Sequence, residues 1–167
     1  MKKIYIILLS IFMLSIAQKI QAQDTITSVS KLRIYSSFSY MNPIQGLDKY
    51  GYGFGAYSNF DYSINKHLTA RLDIGWNDVS GPEKEYIDQN KVVHTEHPNM
   101  SVWEFTAGLR VTAGPVYLEG RGGYFTGVSE WGYLPAVGFI IWKLDFQASY
   151  TFAGDKQWAT ARVGYYF

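Results

Sequence analysis

The sequence predicts an all-β fold: a transmembrane antiparallel up-and-down β-barrel of eight strands, preceded by a cleaved signal peptide. Three observations predict it. Nearly every segment from Lys31 onward alternates apolar and polar residues with period two, the signature of strands with two different faces. The N-terminus has the build of an export signal, a short apolar run behind two lysines. The aromatic content is high, with 14 Tyr, 10 Phe and 5 Trp making up 17% of the chain beside 16 Gly. Amphipathic rings favour the zone between hydrocarbon and water, and glycine lets strands twist and crowd in a small barrel.

Lys2 and Lys3 form the positive start of the signal, and Ile4 to Ile16 is apolar apart from Tyr5, Ser10 and Ser15. A transmembrane helix needs roughly 20 apolar residues, so this run is too short to span comfortably. Ala17 and Ala22 offer small residues for cleavage, and cleavage after Ala22 is expected, making residues 1–22 the signal peptide and 23–167 the barrel domain. The barrel segment has the length of one domain. The chain has 15 Lys and Arg, of which Lys2, Lys3 and Lys19 leave with the signal, facing 14 Asp and Glu. Such near-neutrality gives no broad basic footprint, so no nucleic-acid partner is expected. The absence of cysteine excludes a disulfide scaffold, a thiolate metal site and a lipid anchor on a modified cysteine.

The alternation is clearest in His67 to Asn77, where Leu68, Ala70, Leu72, Ile74 and Trp76 share one face and Thr69, Arg71, Asp73, Gly75 and Asn77 the other. Ser101 to Thr112 sets Trp103, Phe105, Ala107, Leu109 and Val111 against Glu104, Thr106, Gly108, Arg110 and Thr112. Leu144 to Phe152 sets Leu144, Phe146, Ala148, Tyr150 and Phe152 against Asp145, Gln147, Ser149 and Thr151. The same test predicts eight strands: Lys31 to Tyr40, Tyr50 to Ile64, His67 to Asn77, Ser101 to Thr112, Pro115 to Phe125, Gly132 to Ile141, Leu144 to Phe152 and Trp158 to Phe167. In the sixth, Leu134 and Ile140 blur the alternation of Val137, Phe139 and Ile141.

Short and long connections alternate. Asn65 with Lys66, Ala113 with Gly114 and Trp142 with Lys143 read as tight turns, whereas Met41 to Lys49, Asp78 to Met100, Thr126 to Trp131 and Ala153 to Gln157 read as longer loops. Membrane barrels have this asymmetry, with short turns on one side and long loops on the other.

The charges decide which face meets lipid. A soluble barrel has an apolar lumen and a charged exterior, and a membrane barrel inverts that arrangement. Arg33, Arg71, Arg110, Arg121 and Arg162 all sit at polar-face strand positions, while the lysines after the signal fall in loops, in turns or at strand starts. A confined lumen favours the planar guanidinium, which pairs with carboxylates through two hydrogen bonds. Asp61, Asp73, Glu104, Glu119 and Asp145 lie on the same faces. The interior of an eight-stranded barrel is just wide enough for side chains to fill, so these ten residues are expected to form a neutral plug of ion pairs, not an open channel. The Gly51, Gly53 and Gly55 series is expected to face the lumen as packing room and not to cradle phosphate.

In the last strand Ala159, Ala161, Val163, Tyr165 and Phe167 face one way and Thr160, Arg162, Gly164 and Tyr166 the other. With that terminal aromatic, the whole chain after the signal resembles the small eight-stranded outer-membrane β-barrel proteins of Gram-negative bacteria, the porin-like outer membrane β-barrel domain. The resemblance implies residence in the cell outer membrane, contact with its lipid and lipopolysaccharide, and recognition of Tyr165 and Phe167 by the barrel assembly machinery. The match departs in one place: a glycine usual five residues before the final aromatic is here Arg162, with Gly164 displaced by two.

Some barrels resembling this one modify lipid A with a His and a Ser or acid near the external rim. His67 adjoins a tight turn, on the wrong side for that chemistry. His94 and His97 lie in the longest loop near Asp78, Ser80, Glu96 and Ser101, without tight His-x-Ser spacing, and a solvated loop accounts for them better. The run His94, Thr95, Glu96, His97 offers metal-type donors but not a recognised metal-site spacing, so no metal, cofactor or catalytic residue is expected. The sharpest external surface is Asp78 to Met100, where Asp78, Glu83, Glu85, Asp88 and Glu96, with His94 and His97, outweigh Lys84 and Lys91. It would suit cationic or divalent-bridged partners of unknown identity. The expected function is a non-enzymatic envelope or surface-interaction protein with an occluded lumen. The alternatives are a narrow pore for small solutes or ions, a lipid A-modifying enzyme, and an accessory subunit of a larger outer-membrane complex.

Overall fold

The computed structural model describes residues 32–82, 84–87, 93–96 and 99–166. The expected signal peptide, Glu83, Asp88, Lys91, His97 and Phe167 lie outside the described residues. Ten strands follow in chain order: β1 (Leu32–Gln45), β2 (Gly53–Ser63), β3 (Leu68–Val79), β4 (Lys84–Ile87), β5 (Val93–Glu96), β6 (Met100–Ala113), β7 (Val116–Phe125), β8 (Glu130–Ile141), β9 (Leu144–Ala153) and β10 (Lys156–Tyr166). Eight close into one antiparallel barrel in the order β1-β10-β9-β8-β7-β6-β3-β2. β1 completes the ring by pairing with both β2 and β10, for example Arg33 with Asp61 and Phe38 with Val163. Closure leaves no edge with unpaired backbone groups, which is what a sheet in hydrocarbon requires.

The two faces divide as the alternation dictates. Outward side chains are apolar and exposed, including Phe38, Leu72, Ile74, Leu109, Val137 and Val163. Aromatic residues gather at both ends of this face. Tyr40, Tyr52 and Phe54 pack together at the loop end, as do Tyr133 and Phe152 with centroids 4.8 Å apart, and Phe139 stacks on Phe146 at 4.9 Å toward the tight-turn end. Inward side chains are polar and buried, Asp61, Asp73, Arg110 and Thr151 completely so. This is the inverse of a soluble barrel.

Three features differ from the sequence expectation. Ala153 to Gln157 is not a long loop: Lys156 pairs with Ala153 and Gln157 with Phe152, leaving a two-residue turn of Gly154 and Asp155. Gly154 takes a φ of 60°, the left-handed conformation such turns use. Lys156 pairs with Asp155 at 3.1 Å and hydrogen-bonds it, holding that carboxyl below its ordinary pKa. The Asp78 to Met100 loop carries its own hairpin, in which β4 and β5 pair from Lys84 with Glu96 to Ile87 with Val93. β1 runs on to Gln45, its ladder slipping only between Pro43 and Gln45, where proline supplies no donor. In β8, Leu134 is buried toward the lumen, which accounts for the blurred alternation there.

Candidate functional site

The lumen gathers the chain's polar chemistry. β3 alone sends Thr69, Arg71, Asp73 and Asn77 inward, because residues two apart on a strand share a face. Asp73 is the hub of the middle layer: Arg71 Nε donates to its Oδ1 at 2.7 Å, and Arg121 and Arg162 both donate to Oδ2. Glu119 accepts from Arg71 at 3.1 Å and Arg110 at 2.8 Å, and Arg121 Nε lies 2.6 Å from its other oxygen. Asp145 receives Arg110 at 3.1 Å and the hydroxyls of Tyr35 and Tyr117. Glu104 accepts from Arg162 at 3.2 Å and from Asn77 at 2.9 Å. Asp61 lies 3.4 Å from Arg110 and 3.8 Å from Arg33, whose side chain remains partly exposed at the tight-turn mouth. Desolvating so many charges is costly. Asp73 is held by guanidinium groups, every other buried carboxylate by guanidinium together with hydroxyl or amide donors, and each buried guanidinium by two or more carboxylates.

Tyrosines form the second element of this network, whereas composition alone points the aromatics mainly to the lipid boundary. The Arg110 guanidinium carbon lies 3.8 Å from the Tyr117 ring centre, and that of Arg162 lies 3.4 Å from Tyr57. Arg71 stands over Tyr35 at 5.3 Å and Arg33 over Tyr166 at 5.0 Å. A flat guanidinium is suited to such stacking. Glycine makes room for the rings: a Cβ on Gly75 would sit 2.0 Å from Tyr57, and one on Gly138 about 2.3 Å from the Tyr117 hydroxyl. The signal for inward tyrosines was the strand parity itself, since Tyr57 alternates in step with Asn59 and Asp61, and Tyr117 with Glu119 and Arg121.

Toward the loop end the inward residues turn apolar. Met41, Leu47, Val79, Val102, Phe125, Val128, Leu134, Ala153 and Trp158 form one buried cluster inside the barrel. Phe125 and Trp158 meet edge to face at 5.2 Å. Leu47 enters from the β1–β2 connection and Val128 from the β7–β8 connection, so two loops contribute to closing the mouth. This cap was not read from the sequence. Its strand members occupy lumen parity at the strand ends, where they look like misplaced apolar residues. Among the described residues, the lumen is therefore filled by ion pairs below and an apolar plug above.

The remaining candidate residues lie elsewhere. Asp78, near the end of β3, accepts from Asn99 at 2.7 Å and from Ser101 at 3.3 Å. Glu85, His94 and Glu96 belong to the β4–β5 hairpin, with Glu85 opposite Thr95 and Tyr86 opposite His94. Tyr165 faces outward on β10, with Lys143 over its ring at 5.7 Å. His67 lies in the β2–β3 turn, its Nδ1 3.1 Å from the carbonyl of Thr112. Gly53 and Gly55 line the inner wall of β2 beside Val79 and Asn77, and Gly51 lies in the connection before it. No group of metal-binding side chains occurs among the described residues.

No family model matches the chain, and no curated protein matches it in sequence. Solved structures do match in shape. Ail, the attachment invasion locus protein of Yersinia pestis, aligns in complex with the heparin analogue sucrose octasulfate at TM-score 0.53 and 15% identity, over 83% of this chain and 100% of Ail. A structure of Ail alone aligns at TM-score 0.51 and 16% identity, over 83% and 100% of the two chains. A chain from the de novo design of transmembrane β-barrels aligns at 0.49 and 11% identity, over 86% and 100%. At these identities the likeness to Ail establishes the fold, a closed eight-stranded barrel of the outer-membrane type.

Proposed function

We propose that this chain is a non-enzymatic integral protein of the outer membrane, a closed barrel that holds the Asp78–Met100 loop at the cell surface for contact with a partner. The filled lumen carries this reading. The ion-paired layers and the Phe125–Trp158 cap leave the barrel's side chains engaged with one another, so the groups available to a partner lie on the rims. The apolar outer face and its aromatic ends support insertion in a bilayer. In this reading phospholipid and lipopolysaccharide surround the barrel, and the C-terminal aromatics Tyr165 and Phe167 are read by the assembly machinery.

Ail was solved with a sulfated polyanion, and that property does not carry over on charge grounds. The Asp78–Met100 loop holds five carboxylates against Lys84 and Lys91, which suits a cationic or divalent-bridged partner. Three experiments test the proposal. In planar bilayers the purified barrel is expected to give no steady conductance, and sustained opening would restore the narrow-pore alternative. An epitope inserted between Gln89 and Asn90 should label intact cells while one at Gly114 should not, and the opposite labelling would invert the proposed orientation. Lipid A from cells carrying His94→Ala and His97→Ala should match that from wild-type cells by mass spectrometry. A changed acylation pattern would reopen the enzymatic reading.

A further inference from the structure

Three hairpins of this barrel turn through two residues, and the first of each pair is left-handed: Gly114 at φ 62°, Trp142 at φ 60° and Gly154 at φ 60°. Glycine adopts that conformation without penalty, whereas a bulky side chain is a strained outlier there. The same geometry is thus met with glycine twice and with tryptophan once. Nor does packing explain the indole, because Trp142 is 97% exposed. A large ring held at a strained position without contact to its own fold is stabilised by something outside the protein. For tryptophan at the end of a transmembrane barrel strand, that environment is the boundary between hydrocarbon and headgroups.

The neighbouring residue indicates which headgroups. Lys143 Nζ lies 5.7 Å from the ring centre of Tyr165, which faces outward, so the ammonium sits on the lipid side of the wall and not in the lumen. Ile141, Leu144 and Tyr165 are exposed around it. Lys66 is also exposed at this end, in the β2–β3 turn. The nearby carboxylates, Asp61 and Asp145, are buried in the lumen network and already paired, and among the described residues no exposed carboxylate occupies this rim. The opposite rim carries Asp48, Asp78, Glu130 and Asp155 against Lys49 and Lys156. Exposed charge is therefore cationic where the turns are tight and mainly acidic where the loops emerge.

We propose that Trp142 and Lys143 form an interfacial anchor for anionic phospholipid headgroups in the leaflet at the tight-turn end. The indole occupies the boundary layer, and the ammonium beside it meets lipid phosphate, an attraction that falls off within a Debye length. This inference rests on the bilayer insertion proposed above.

The test uses the full barrel refolded into unilamellar vesicles of phosphatidylcholine, with and without phosphatidylglycerol, at low ionic strength, with urea unfolding followed by gel mobility. Phosphatidylglycerol is expected to raise the wild-type midpoint, and Trp142→Gly and Lys143→Gln are each expected to lose most of that rise. A rise that persists in either variant, or a wild type indifferent to phosphatidylglycerol, overturns the anchor. Failure of the wild type to enter any vesicle overturns the membrane reading itself, which separates the two failures.

Discussion

Arg162 on β10 donates a hydrogen bond of 2.8 Å to Asp73 on β3, across the lumen and with β1 and β2 between them in the wall. Asp73 is fully buried and also holds Arg71 and Arg121. Removing it leaves three guanidinium groups short of a partner. Breaking a buried ion pair from one side typically costs about 3–5 kcal/mol. Asp73→Ala is therefore expected to lower the urea midpoint strongly in vesicles, while Asp155→Ala in the exposed β9–β10 turn changes it little. Equal losses from the two would contradict the inward role of Asp73.

Phe125 and Trp158 make the ring contact of the apolar cap, and neither is exposed. Truncating a packed Phe to Ala costs about 3–5 kcal/mol, the spread depending on how far the surroundings collapse. Phe125→Ala should accordingly weaken the barrel. It should nevertheless stay silent in single-channel recordings, because Arg121, Arg162 and Asp73 still fill the section below. Steady current from this single variant would mean that the cap alone closes the lumen.

How much of this was legible in the sequence follows from how local each signal is. The inward placement of Arg71 and Asp73 needs only their shared parity with Thr69 and Asn77, so counting by twos suffices. Leu134 and Trp158 have inward parity too, but an apolar residue facing the lumen looks like a broken pattern until Phe125 arrives from another strand to pack against it. Leu47 has no periodicity to read, since it enters the cap from a connection. The β9–β10 turn is obscured in the sequence for a different reason. Asp155, Lys156 and Gln157 are polar enough to suggest a loop, yet Gly154 with Asp155 is itself a two-residue hairpin signal. Glycines opposite tyrosines, such as Gly75 opposite Tyr57, become informative only once the register is known.

That pairing gives a prediction in which two substitutions do not add. A methyl on Gly75 would meet the Tyr57 ring, so Gly75→Ala must push the ring out of its place over Arg162. Overpacking of this kind costs about 1–3 kcal/mol. In a Tyr57→Ala background the ring is gone, and the same Gly75→Ala change should be much cheaper. A double-mutant cycle read by urea unfolding measures the difference, and strict additivity would show that ring and glycine are not coupled.

Thr151 offers the opposite sign of effect. Its side chain is completely buried on β9, and its hydroxyl has no hydrogen-bond partner among the described residues. It stands opposite Trp158 in the β9–β10 ladder, whose indole nitrogen is likewise unpartnered there. A buried polar group without a partner carries its desolvation cost uncompensated, and valine has the same shape without the hydroxyl. Thr151→Val is therefore expected to stabilise the barrel by about 1 kcal/mol, read as a higher urea midpoint at unchanged slope. A lower midpoint would place an ordered water at the junction of the polar layers and the cap, bonded to Thr151 and lost with its hydroxyl.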